Sequence, residues 1–440
     1  MARIKHIALS TDDPAKTAEF YKSVFGLTEL RRTPADTGAE GVWLSDGYIY
    51  FAILKYGGED TPNLGDGPST VKGIHHIGFY VDDVEQTCAT LEAASCTECP
   101  GSTKVNRKYK GPDGLMMDVR ARGWDEQINW PAPGPGQVVV AVRAAGTNRG
   151  ELIRGAQLRP GNAPASPARA GTEFAGEIAA LGDGVSGWTP GDRVMGRAVG
   201  SYAQHVVAHQ RALMRIPDGM PWAEAAAIPN VFVTAHDALV TNGAAKPGES
   251  VMVTAGPSGV GTAAIQIARH IGANPVLATT RTPAKAAALH ALGAHEVVDT
   301  RDAGKWVDAV MRATAGRGVD VIIDHVGGPM LADNIQVLAL KARLVSVGRN
   351  AGRVGDCDLD EIARKRASII GVTFRTRTPE ESLACSERFA AHLLGAVATG
   401  ALKPVLDRTF PFERLADAHR YMLSDAQTGK IVLEVSDSGR

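Results

Sequence analysis

The run Ser250-Val-Met-Val-Thr-Ala-Gly-Pro-Ser-Gly-Val-Gly-Thr-Ala-Ala-Ile265 decides how the rest of the chain is read. Val251 to Ala255 is an apolar stretch of the kind a parallel sheet buries on both faces. Gly256, Gly259 and Gly261 make a turn, and Thr262 to Gly272 has the make-up of a helix stopped by glycine. Strand, glycine turn and helix in that order leave unpaired N–H groups at the positive end of a helix, where a pyrophosphate is held. The Ser258, Gly259 and Val260 amides are the expected contacts, and Gly261 lets helix and strand pack closely.

From about Val231 onward, strands and helices alternate. Strands are expected at Val251–Ala255, Pro275–Thr279, Glu296–Asp299, Val319–Asp324, Arg343–Gly348 and Ile369–Phe374, the pattern of a doubly wound parallel (Rossmann) sheet. Upstream, Gln137–Gly146, Gly171–Ile178, Gly191–Met195 and Tyr202–Val207 are short glycine-bounded β segments, which suggest a compact, mostly β domain. The chain closes with a helix around Phe412–Leu423 and a strand, Lys430–Val435.

The first part of the chain repeats itself. His6-Ile-Ala-Leu-Ser-Thr-Asp-Asp13 returns as His76-Ile-Gly-Phe-Tyr-Val-Asp-Asp83, a shift of 70 residues. Each copy precedes a helical stretch, Pro14–Phe25 and Val84–Ala94, and each half closes with Asp-Gly and an apolar strand. Two strand–helix–strands units of this kind pair around a shared cleft. Proline and glycine punctuation between Arg120 and Pro135 marks a short join, not a long flexible linker.

With 440 residues, two or three domains of ~150 residues are expected. A formal net charge of -1 gives no basic field for nucleic acid. No apolar run approaches the ~20 residues that span a bilayer. Met-Ala-Arg-Ile-Lys-His lacks the apolar core of a signal peptide, and five scattered cysteines suit free thiols, so a reduced, cytoplasmic setting is expected. Cys96-Thr-Glu-Cys99 has no second pair and no nearby histidine, and reads as coincidence.

Residues from about 131 to 435 resemble the medium-chain dehydrogenase/reductase superfamily, in its zinc-independent quinone oxidoreductase branch. The resemblance is carried by Pro133-Gly-Pro-Gly136, Ala144-Ala-Gly-Thr-Asn148, Gly171-Thr-Glu-Phe-Ala-Gly176, Gly191-Asp-Arg-Val194, Ala255 to Gly261, Asp324-His-Val-Gly-Gly328 and Gly429-Lys-Ile-Val432. It implies a GroES-like catalytic domain over 132–230 and 377–440 around a Rossmann domain at 231–376. The zinc-dependent relatives' catalytic cysteine falls near Arg149 and their ligand histidine near Thr172, so no zinc is expected in this half. Thr234 is implied to lie near the nicotinamide, with Val326 and Gly348 on its far side. Asn148 and Tyr202 are the implied pocket residues, one to bond a carbonyl oxygen and one to give a proton. A small-molecule substrate and a homodimer are implied too. The family opens with further β structure before the proline-glycine turn; without it a sheet edge would stand unpaired, and segment 119–131 or a strand of the front module is expected to cover that edge.

Residues 1–122 resemble the vicinal oxygen chelate (glyoxalase-like) superfamily, a paired βαβββ module, joined by 123–131. Carried over by register, the metal ligands are His6, His76 and Asp118, and the fourth position falls on Phe51, which binds no metal. Two histidines and a carboxylate suit Fe(II), Mn(II) or Zn(II) with open positions. Two readings of this module stand side by side: a metal-dependent catalyst, and a binding or dimerisation scaffold that completes the dehydrogenase half.

The cofactor follows from the end of the second Rossmann strand. An acidic residue there would bind the ribose 2′-OH of NAD. Here Thr280-Arg281-Thr282-Pro283-Ala284-Lys285 holds no carboxylate; Thr280, Arg281 and Lys285 suit a 2′-phosphate, so NADPH is expected. The function expected is NADPH-dependent reduction of a quinone or an activated enone or enal.

Overall fold

The structure, a computed structural model, describes residues 2–33, 40–46, 49–55, 73–81, 83–99, 102–103, 106–111, 116–121, 133–156, 170–302 and 304–435. These residues form two compact units, one from the chain before residue 131 and one from the chain after it.

In the first unit the strands are β1 (Arg3–Ser10), β2 (Thr28–Thr33), β3 (Glu40–Ser45), β4 (Tyr50–Lys55), β5 (Gly73–Tyr80), β6 (Thr97–Glu98), β7 (Arg107–Lys110) and β8 (Met116–Arg120). Helices Pro14–Phe25 and Val84–Ala93 follow the two copies of the repeat. The last aspartate of each copy caps its helix: Asp13 accepts from the Lys16 N–H and Asp83 from the Gln86 N–H, both at 2.9 Å. The sheet order is β2-β3-β4-β1-β5-β8-β7-β6, so its two halves mirror each other. β1 and β5 pair antiparallel with Ile7 opposite Ile77, equivalent positions of the repeat, and a local twofold passes there.

Strand alternation then sorts the side chains. Ala8, Trp43, Tyr50, Ala52 and Tyr80 share one buried face. Val42, Leu44, Ile53 and Phe51 pack on the other, with Ala18 of helix Pro14–Phe25. This corrects the fourth ligand position. β4 runs parallel to β1 with Ala8 opposite Ala52, and β8 runs parallel to β5 with Gly78 opposite Asp118. Gly78 is the repeat-mate of Ala8, so the counterpart of Asp118 is Ala52, not Phe51. A one-residue slip moves a strand side chain to the opposite face.

The second unit contains β9 (Gln137–Gly146), β10 (Glu173–Leu181), β11 (Arg193–Arg197), β12 (His205–His209), β13 (Leu213–Arg215), β14 (Val251–Val253), β15 (Val276–Thr280), β16 (Glu296–Asp299), β17 (Val319–Asp324), β18 (Leu338–Ser346), β19 (Ser368–Gly371), β20 (Leu406–Pro411) and β21 (Lys430–Glu434). The GroES-like sheet runs β13-β11-β10-β9-β21-β20. Most of the segment expected to cover a sheet edge, 122–131, lies outside the described residues, and β9 is paired on both sides. β10 covers one side, while β12 covers Gln137–Ala141 and β21 covers Ala144–Gly146 on the other.

The Rossmann sheet is parallel, in the order β16-β15-β14-β17-β18-β19. The chain starts at β14, moves outward to β16, then crosses to β17, which makes the β14–β17 border the switch point where ligands bind. β14 ends at Val253, sooner than its apolar run, because Ala255 takes a left-handed φ of 50°. The following helix starts at Gly259, earlier than its composition suggests, because the Ser258 hydroxyl caps the Gly261 N–H at 3.0 Å.

One buried core takes Ala144, Ala175 and Met195 from the GroES-like sheet and Val253, Ala278, Ile323 and Val345 from the Rossmann sheet. It also takes Phe389 and Leu393 from helix Pro379–Ala398. Phe389 is fully buried, its ring centroid 6.1 Å from that of Phe232. Phe389→Ala is expected to cost this unit about 3–5 kcal/mol in urea unfolding, with both sheets lost together. Separate transitions for the two sheets would contradict a shared core.

Candidate active site

The cofactor candidates lie along the carboxyl edge of the Rossmann sheet. Gly256 to Gly261 follow β14, Thr280 and Arg281 end β15, Val326 follows β17 and Gly348 follows β18. The glycine loop leaves no room for larger residues: a Cβ on Gly261 would stand 2.6 Å from the carbonyl oxygens of Ala255 and Gly256. The Ser258 N–H is spent on the Ala255 carbonyl at 2.9 Å, so it does not face outward as the sequence suggested. Gly259 and Val260 carry the first two N–H groups of the helix, ahead of its hydrogen-bond ladder. On the far side, Asp324 binds the Val326 N–H at 3.1 Å through Oδ1 and the Gly348 N–H at 3.0 Å through its carbonyl. Thr234 is buried on helix Pro229–His236, which packs against helix Gly259–His270.

At the end of β15, Thr280 Oγ1 is turned inward and pairs with the backbone of Thr282. The Lys285 ammonium donates to the carbonyls of Asp425 and Gln427 at 2.9 and 2.7 Å. Burial holds its pKa below the ordinary lysine value. The Arg281 guanidinium lies 3.3 Å from Asp425 Oδ2.

The pocket residues sit in a polar network. Asn148, just before helix Arg149–Ala156, gives its Nδ2 to Glu173 at 2.9 Å and to Thr172 at 3.2 Å. Its Oδ1 accepts from Asn230 and from the Lys430 ammonium, both at 2.9 Å. Asn148 therefore has both ends engaged. The Tyr202 hydroxyl donates to Glu151, and Thr172 donates to the same carboxylate at 2.7 Å. Burial first, and the Glu151 charge second, push the Tyr202 phenol far above its ordinary pKa, so it stays protonated. Arg149, at the relatives' cysteine position, turns to Asp425 and the Met422 carbonyl.

The centre of this network is a pair that sequence reasoning passed over. Glu173 is fully buried, and Lys430, 3% exposed, reaches it at 2.6 Å and the Thr147 carbonyl at 2.5 Å. The second Glu173 oxygen accepts the Asn230 N–H at 2.7 Å. Lys430 also passes the cofactor loop: a Cβ on Gly259 would meet its Cδ at 2.9 Å, and the Gly429 N–H donates to the Pro257 carbonyl at 2.8 Å. The available signal was a lysine heading the apolar strand Ile431–Leu433 and a glutamate opening β10, charges that must be paired if buried.

In the first unit His6, His76 and Asp118 do come together, all buried. His6 Nδ1 lies 2.9 Å from the Tyr50 carbonyl, which only accepts, so Nδ1 carries the proton and Nε2 is an acceptor. His76 Nε2, 3.0 Å away, therefore donates to it, and His76 Nδ1 accepts from His75 Nδ1 at 2.9 Å. Burial lowers the His6 pKa to about 4 and drives that of His76 down as well, so both are neutral and the His76–Asp118 contact at 3.8 Å is no ion pair. The Asp118 charge is met instead by the Lys108 ammonium at 3.3 Å, and Asn106 donates to its other oxygen. Thus His76 spends the nitrogen a metal would take, and a lysine stands where a cation would balance the carboxylate. Among the described residues no group of three or more His, Cys, Asp or Glu is placed to hold a metal ion. The donor set as placed does not fit a metal. No described helix is long and apolar enough to cross a membrane.

Three family profiles match in sequence: Glyoxalase/Bleomycin resistance protein/Dioxygenase superfamily over residues 3–119, Alcohol dehydrogenase GroES-like domain over 134–218, and Zinc-binding dehydrogenase over 259–390. The quinone oxidoreductase of Homo sapiens is 33% identical over 332 residues, which cover 74% of this chain and 95% of that one. The pikromycin polyketide synthase component PikAII of Streptomyces venezuelae is also 33% identical, but this chain spans only 9% of it. Among solved structures, CurK enoyl reductase aligns with a TM-score of 0.61 at 27% identity, over 70% of this chain and 93% of that one. A mycobacterial protein complexed with NADPH aligns with 0.62 at 27% identity, over 70% and 94%. The chain belongs to the medium-chain dehydrogenase/reductase superfamily, in its quinone oxidoreductase branch, and carries a glyoxalase-type module in front. It is an oxidoreductase by family.

Two outcomes follow from these sites. Lys430→Met leaves the Glu173 carboxylate buried without its cation, and is expected to cost about 3–5 kcal/mol in urea unfolding. Adding Glu173→Gln should return part of that loss; a strictly additive double variant would contradict the coupling. For the front unit, His6 and His76 titrate below their unfolded value, so the unfolded chain takes up protons first. Their contribution is full above the ordinary histidine pKa of about 6.5 and fades as pH falls toward about 4. The urea midpoint of the front unit should fall over that window, and less so in His6→Gln; identical slopes for both would contradict it.

Proposed function

We propose that this chain is an NADPH-dependent, zinc-independent reductase of quinones or of activated enones and enals. The observation that carries the cofactor choice is the end of β15, where Thr280, Arg281 and Lys285 stand and no carboxylate follows on that loop. The NADPH complex of a structural relative and the reductase names of two others support the same reading.

NADPH, when bound, supplies a hydride: with one proton it takes a quinone to the hydroquinone, or saturates an enone with hydride on the β-carbon and the proton on the α-carbon. The chain's own residues hold and orient. The Gly259 and Val260 amides receive the pyrophosphate, while Arg281 and Lys285 receive the 2′-phosphate. Thr234, Val326 and Gly348 border the nicotinamide. Asn148, held by Glu173, Asn230 and Lys430, positions the start of helix Arg149–Ala156 rather than reaching for substrate. Tyr202, expected to give a proton, keeps it in this scheme: burial and the Glu151 carboxylate that its hydroxyl bonds hold the phenol protonated, so the proton of the reduction is drawn from solvent. A homodimer acting on a small-molecule substrate in the cytoplasm completes the reading.

The front module is read as a metal-free binding unit, because Lys108 already balances Asp118 and Ala52 occupies the fourth position. Near-stoichiometric metal in purified full-length protein, lost in His6→Ala with His76→Ala, would overturn this. For the reductase, an NADPH oxidation screen over quinones and enones should find turnover. Arg281→Ala with Lys285→Ala should raise KM for NADPH roughly tenfold or more while leaving that for NADH near its starting value. Equal effects on both cofactors would refute the assignment.

A further inference from the structure

The Arg281–Lys285 site already holds a carboxylate, brought in from the far end of the chain. Asp425 lies in the turn between helix Leu415–Leu423 and β21. Its side chain is shared between Arg281 and Arg149, and its carbonyl takes the Lys285 ammonium. Three cations thus converge on one residue with a single negative charge, an excess that suits a dianionic phosphate. The other acidic group of the neighbourhood, Asp407, is committed elsewhere: it accepts from the Thr428 N–H at 2.8 Å and the Tyr421 hydroxyl at 3.0 Å.

We propose that Asp425 is a built-in competitor for the cofactor 2′-phosphate and sets the NADPH-to-NADH preference of this chain. The proposal rests on reading Arg281 and Lys285 as the 2′-phosphate site. The Asp425 and Arg281 side chains are 53% and 76% exposed, so their contact is weak enough for an arriving phosphate to displace it. Arg149 keeps Asp425 anchored to helix Arg149–Ala156, so the carboxylate stays close after displacement and repels the phosphate. NADH, with a neutral 2′-OH, meets no such repulsion. Affinity for NADPH is therefore held below what the three cations alone would give.

Asp425→Asn tests this. The residue has a left-handed φ of 57°, a conformation that asparagine adopts readily, so the turn survives the loss of charge. In full-length protein at low ionic strength, the variant is expected to bind NADPH roughly tenfold tighter, with NADH changed by less than about twofold. Adenosine 2′,5′-bisphosphate should tighten in the same way and 5′-AMP should not, which confines the effect to the 2′-phosphate. Unchanged NADPH affinity, a parallel change for both cofactors, or weakened NADH (Asp425 as acceptor for the ribose hydroxyl) would each overturn the proposal. Arg281→Ala with Lys285→Ala is measured alongside. If that variant loses NADPH selectively while Asp425→Asn gains nothing, only the role of Asp425 fails. If it leaves the ratio of the two affinities unchanged, the 2′-phosphate reading itself fails.

Discussion

The buried ion pair between Lys430 and Glu173 spans the GroES-like sheet of the reductase unit, reaching from β21 past β9 to β10. Lys430 opens β21 beside the glycine loop and sends its ammonium to β10, where Glu173 begins the strand. Desolvating both charges is costly, and the arrangement survives because each is fully provided with partners. The ammonium meets Thr147, Asn148 and Glu173; the carboxylate meets Lys430, Asn148 and Asn230. Thus the segment that holds the cofactor loop also sets the geometry of the helix at Asn148. A shift of β21 against β10 would leave a buried charge unpaired, and because Gly429 and Lys430 also lie against Pro257 and Gly259, the glycine loop is tied to the same network.

The same C-terminal turn carries the second electrostatic feature of the unit. Asp425 and Lys430 are close in sequence yet stand at different places along the edge of the Rossmann sheet, one beside Arg281 and the other beside Gly259. Under the proposed cofactor reading, recognition of the phosphate-bearing end would draw on the β15 loop and the Asp425 turn together. The front module shows how a symmetric scaffold can keep its ligand positions and change their chemistry. The local twofold through Ile7 and Ile77 brings His6 and His76 onto one face. Lys108 and a hydrogen-bonded chain of neutral imidazoles then take up the capacity that a metal would otherwise use.

Much of this was legible in the primary structure, for identifiable reasons. The repeat at His6 and His76 announced two equivalent units, and the aspartates ending each copy were the helix caps. Glycine turns between apolar runs announced the parallel sheet. The places where reading from sequence slipped are places where pairing decides. Phe51 and Ala52 are neighbours in the chain, but only the register of β4 on β1 says which faces His6. That β12 and β21 share one edge of β9 was not legible in the sequence, because it depends on pairing between distant segments. The Ser258 amide looked available until its bond to Ala255 was seen.

Local composition and periodicity therefore determined the class of each segment and the order of the modules, since those properties depend on neighbours a few residues apart, while the family rested on the resemblance that the motifs carry. The tertiary structure decided which charges meet. Lys430 with Glu173, Asp425 with Arg281 and Lys108 with Asp118 all join different strands or loops, and the first two cross more than a hundred residues of chain. Hydrogen bonds and close ion pairs form only at contact distance, so their partners are set by how the strands and turns pack and not by their spacing along the chain.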